Sequence, residues 1–62
     1  MNTITEQLEC AQHSADFTRQ HLQGALKTAT AVEAMILLPM IEQANTLLSR
    51  INNLLFARSA DK

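Results

Sequence analysis

With one cysteine, one proline and one glycine in 62 residues, the chain lacks most of the devices small domains lean on. The lone Cys10 has no partner for an intrachain disulfide, and a single thiol fits a reducing compartment. There is no glycine-rich phosphate loop, no pair of carboxylates set in an apolar stretch, and no internal repeat beyond two helical patterns. Five basic and six acidic residues give a formal net charge of −1 and are dispersed, so no basic stripe is available to follow phosphates. Nucleic acid is therefore not an expected partner. The longest apolar-rich run, Ala34 to Ile41, falls far short of the roughly 20 residues a membrane-crossing helix needs. The opening MNTITEQLE has no positive region followed by an apolar core, the order of a secretory signal. Together these features predict a soluble cytoplasmic protein.

Chemistry is also poorly provided for. Cys10 and His13 are three apart, and His13, Phe17 and His21 are four apart, which is not the paired spacing that brings three or four ligands onto a zinc ion. A cysteine nucleophile needs a base, a pocket and an oxyanion site, and two helices offer no concave scaffold for them. No catalytic residue, cofactor or metal is expected. A chain this short, without disulfide or metal, depends on very good packing or on association.

What is present is helical periodicity. In LLPMIEQANTLLSRINNLL, residues Leu37, Ile41, Ala44, Leu48, Ile51 and Leu55 alternate steps of four and three and stack along one side of a helix. A second row, Met40, Leu47 and Leu54, recurs every seven residues beside the first, with Ile36 extending it backwards. The combined apolar face spans roughly 140° of the circumference. One neighbouring helix covers a seam, not both rows, so Met40, Leu47, Leu54 and Ile36 are candidate partner-binding residues. Beyond Leu55 the pattern fades into a polar, frayed end.

The first half carries a leaner seam. Thr3-Ile4-Thr5-Glu6 has capping-box spacing and starts helix 1; Ile4, Leu8, Ala11, Ala15, Thr18, Leu22, Ala25 and Ala29 then alternate by four and three, with Leu26 at the edge. On the opposite side lie Cys10 and Phe17, seven apart, as further contact candidates for a second chain. Phe17 reads equally as such a contact or as a lone exposed apolar residue, which is common. Gly24 stands inside the helical pattern, either for close approach of another helix or by simple tolerance.

Thr30-Ala31-Val32-Glu33 repeats the capping-box spacing, which ends helix 1 near residue 28 and starts helix 2 near residue 31. Pro39 leaves two readings open: a kinked helix from 31 to about 57, or a short segment followed by a restart at Pro39. The predicted fold is all-α, a single antiparallel two-helix hairpin over residues 1–62, because a short connection between two amphipathic helices returns the chain beside itself.

Three phrases bring a family into view. The opening TITEQLECAQHSADFTRQHLQGAL, its closing phrase Gln20-His21-Leu22-Gln23-Gly24-Ala25-Leu26, and the second-helix stretch MIEQANTLLSRINNLL resemble the YscE family of type III secretion co-chaperones. The resemblance covers most of the chain and implies a non-enzymatic bacterial cytoplasmic hairpin. It would dock on a larger helical-repeat, YscG-like chaperone, the two keeping the needle subunit soluble and unpolymerised before export. One departure is Ala34-Met35-Ile36-Leu37-Leu38-Pro39, where the family's linker tends to be polar or to contain glycine. Without the resemblance, the same two-row face suits a self-associating structural or regulatory protein, a homodimeric four-helix bundle.

Overall fold

The computed structural model describes residues 3–60 and consists of two α-helices, α1 (Ile4–Leu26) and α2 (Ala31–Ala60), packed as an antiparallel hairpin. Both helices begin in the same way. The Glu6 amide donates to the Thr3 hydroxyl at 3.2 Å while the Thr3 amide donates to the Glu6 carboxylate at 2.7 Å. Thr30 and Glu33 repeat the exchange at 3.2 and 2.9 Å, so each helix start satisfies two otherwise orphaned donors, at about 1 kcal/mol per cap.

The end of α1 is less conventional. The amides of Lys27, Thr28 and Ala29 donate to the carbonyls of Gly24, Ala25 and Leu26 at 3.2 to 3.3 Å, tightening the last turn into a 3₁₀ pattern. No residue of this turn adopts positive φ, so the chain reverses without a left-handed cap.

Of the two readings for the second helix, the restart is not found: α2 is one helix through Pro39. Pro39 lies two residues from both Leu37 and Ile41 and hence on the far side from the seam; it is exposed, as is Met35, whose carbonyl loses its helical donor. Water can satisfy that carbonyl, which reduces the cost of proline inside a helix. The polar end is also more regular than its composition suggests, since α2 continues to Ala60; Asp61 and Lys62 lie outside the described residues.

The seam of α2 is as its spacing predicts. Ile41, Ala44 and Ile51 are buried, and Leu37, Leu48 and Leu55 are half-buried between them. The seam of α1 is rotated from the expected one. Leu8, Ala15, Leu22, Ala29 and the edge residue Leu26 face inward as predicted, but they are joined by Thr5, Gln12 and Arg19, while Ile4, Ala11, Thr18 and Ala25 are exposed.

Both alternatives keep the three-and-four alternation, so periodicity permits either; they differ by a roll of roughly 50°. Polar contacts across the hairpin account for the one adopted. The Gln12 amide donates to the Asn52 side-chain oxygen, and Arg58 Nε donates to the Thr5 hydroxyl at 3.2 Å. With only Ile4 bulky in the displaced row, little apolar burial opposes the roll.

The result is thin. The Cα trace extends 48 × 20 × 12 Å, and the last figure is a single helix diameter. Among the described residues no side chain falls below 2% exposure, because neither broad side has a second layer over it.

At Gly24 an added methyl group meets nothing within 4 Å, and φ is negative. Nothing in the hairpin uses the small side chain. Gly24→Ala is expected to raise stability by about 0.5–1 kcal/mol through the lower entropy of the unfolded chain, read as a higher thermal midpoint by circular dichroism. A drop would mean that another chain approaches at this point.

Candidate partner-binding face

The roll of α1 gives the hairpin two unlike sides. On one, the exposed α1 row Ile4, Ala11, Thr18 and Ala25 lies beside the α2 row Met40, Leu47 and Leu54. Two shallow grooves join these rows. A groove of about 280 Å³ has Ala15, Thr18 and Leu22 as one wall and Met40, Ala44 and Leu47 as the other. Nearer the turn, a second groove of about 410 Å³ runs between Ala25, Thr28 and Ala29 on one side and Glu33, Ile36 and Leu37 on the other, so this end of the face carries one charge.

The opposite side is polar. There Thr5, Glu9 and Gln12 face Arg58 and Ser59 across the helices, beside the Gln12–Asn52 and Thr5–Arg58 bonds.

Four of the predicted contact residues fall on the apolar side and keep much of their surface in water: Met40 at 42%, Leu54 at 46%, Leu47 at 52% and Ile36 at 62% exposure. Met40 and Leu47 form one edge of the groove; neither is enclosed by α1. At about 1 kcal/mol forgone for each half-exposed large side chain, covering these four returns several kcal/mol. A partner could draw on that.

Phe17 and Cys10 are exposed too, but elsewhere. Phe17 is two residues, and therefore about 200°, from buried Ala15, which places it on the outer edge of α1. Its ring meets His21 edge-on at 4.3 Å between centroids, a contact within α1. The hairpin does not bring Phe17 and Cys10 into the face that holds Met40 and Leu47. Cys10→Ser is expected to leave helix content and thermal midpoint of the isolated chain unchanged within about 0.5 kcal/mol, as for other exposed substitutions. A collapse in helicity would place Cys10 in the packing.

Two parts of the apolar surface escape a reading of the seam alone. Periodicity turns the row that begins at Ile4 inward, so Ile4 joins the exposed set only through the roll of α1. The start of α2 is apolar on all sides: Val32, Met35 and Leu38 are exposed around Ile36 and Met40. The signal for the latter lies in AVEAMILL, where Glu33 is the single charge, since a helix that is apolar all round is ordinarily covered all round.

Among the described residues, no three His, Cys, Asp or Glu side chains gather as a metal group would, and no helix is long and apolar enough to cross a membrane. Arg19, Asp16, Gln20 and Gln23 form an i,i+3 and i,i+4 hydrogen-bonded ladder on α1, an arrangement that stabilises a solvated helix surface. Compared with protein-family models, with curated proteins and with solved structures, the chain matches none.

Proposed function

We propose that this chain is a small non-enzymatic co-chaperone that binds a helical-repeat chaperone and, with it, keeps a type III secretion needle subunit soluble and unpolymerised in the bacterial cytoplasm before export. The observation that carries the partner-binding part is the exposed row Met40, Leu47 and Leu54, flanked by Ile36, on a hairpin one helix thick. A helix pair with one apolar and one polar side suits docking against the open end of a stack of helical repeats, each of which buries its own face only against a neighbour. The identity of the partner comes from the resemblance of TITEQLECAQHSADFTRQHLQGAL and MIEQANTLLSRINNLL to the YscE family.

The test is co-expression with a type III helical-repeat chaperone and needle subunit from the same genome. A stable one-to-one complex with the chaperone, which then retains the needle subunit in a soluble form, supports the proposal. A chain that elutes separately from both counts against it.

A further inference from the structure

The packed side of α1 takes the more polar of two equivalent rows. Thr5, Gln12 and Arg19 are half-buried against α2, while Ile4, Ala11 and Ala25 are exposed one step round the same helix. Leu8, Ala15, Leu22, Leu26 and Ala29 lie between the two rows and line the seam with either. Burial alone favours the apolar row, so specific contacts hold the polar one inward.

Those contacts are weakly anchored. The Arg19 guanidinium donates to Asp16 and Gln23, partners on its own helix that turn with it. The bonds that cross the hairpin, Gln12 to Asn52 and Arg58 to Thr5, are both exposed to water. Among the described residues no side chain is fully buried, so no interlocked core opposes a turn of α1 about its axis. A roll of roughly 50° moves a Cα at a radius of about 2.3 Å by only about 2 Å, a step that small φ and ψ changes across 27–30 absorb.

We infer that α1 has two roll positions on α2 and that the choice between them regulates the width of the apolar side. In the position described, Ile4, Ala11, Thr18 and Ala25 extend that side beside Met40, Leu47 and Leu54. In the second, this row enters the seam and Thr5, Gln12 and Arg19 turn out to water. The next row round α1, Gln7, Ser14, His21 and Thr28, then borders the groove. The α2 half, with Gln43 and Arg50 beside Leu47, is the same in both. The face is wide and apolar in one position, narrow and polar-edged in the other. The second position gains the burial of Ile4, and the first keeps two solvent-exposed hydrogen bonds, each of small net value. A partner that touches the α1 row binds only the first position and draws the population to it. This regulatory role rests on the reading of the apolar side as the partner-binding face; the roll itself does not.

The test removes both crossing bonds from the α2 side. In a Cys10→Ser background, the thiol introduced by Ala11→Cys reports whether the α1 row is open to a small neutral alkylating reagent. Asn52→Ala combined with Arg58→Ala is expected to keep helix content by circular dichroism and to slow that labelling roughly 10-fold, since the rate follows the exposed fraction. Adding Gln12→Leu, which makes the polar row partly apolar, should restore fast labelling. Unchanged labelling with the helices intact would overturn the inference, as would slowing that Gln12→Leu fails to reverse. Loss of helix with faster labelling would overturn it too, by showing that the two bonds hold the hairpin together and not its roll. All of this is read on the isolated chain, so a failure of chaperone binding leaves it standing. A chaperone that uses the wide face should bind the Asn52→Ala, Arg58→Ala chain roughly 10-fold more weakly.

Discussion

Leu47→Asp is expected to lower affinity for the binding partner by at least about 100-fold while the hairpin keeps most of its helix. The two halves of that expectation rest on different facts. Leu47 is half-exposed, so within the hairpin the substitution loses only part of a leucine contact and the helix propensity difference of about 0.5 kcal/mol. In a complex the same carboxylate would be buried in an apolar contact without a partner, which costs several kcal/mol or excludes binding. Far-UV circular dichroism reports the first half, and co-purification or calorimetry with the chaperone the second. Near-normal binding by the variant would remove Leu47 from the interface.

Ile51→Ala is expected to unfold the isolated chain almost completely. Ile51 is the most buried of the four core residues, at 7% exposure, with Ile41, Ala44 and Ala15 making up the rest. Truncation of a buried isoleucine costs about 2–5 kcal/mol. A core in a chain this small rarely supplies more than about 3–5 kcal/mol in total. The substitution should therefore abolish the cooperative thermal transition, and binding of a partner should restore part of the helix by mass action. A variant that melts cooperatively with a midpoint only a few degrees lower would show that the core extends beyond these four residues.

The sequence carried the hairpin well and its facing only in half. The seam of α2 was legible because Leu37 through Leu55 combine large apolar side chains with unbroken spacing, and no alternative row competes with equal bulk. The helix starts were legible for a local reason: a threonine three residues ahead of a glutamate closes on its own backbone, at Thr3 and at Thr30 alike.

In α1 the signal divides. Leu8, Ala15, Leu22 and Ala29 sit between two rows of equal periodicity, and reading apolar residues inward favours Ile4, Ala11, Thr18 and Ala25. The row adopted contains threonine, glutamine and arginine, and what favours it, Gln12 meeting Asn52 and Thr5 meeting Arg58, joins residues far apart in the chain. No local pattern announces such pairs. Pro39 was ambiguous for a related reason, since its tolerance depends on Met35 facing solvent, and that follows from where the seam lies rather than from the proline itself.

Those two hydrophilic clasps have a consequence for the exterior. Both sit toward the end of the hairpin farthest from the turn that joins the helices. By latching that end they act as a rotational stop, deciding which strip of α1 is turned toward visitors. Thus a glutamine and a threonine, neither of which touches the greasy surface, set the direction in which it is aimed.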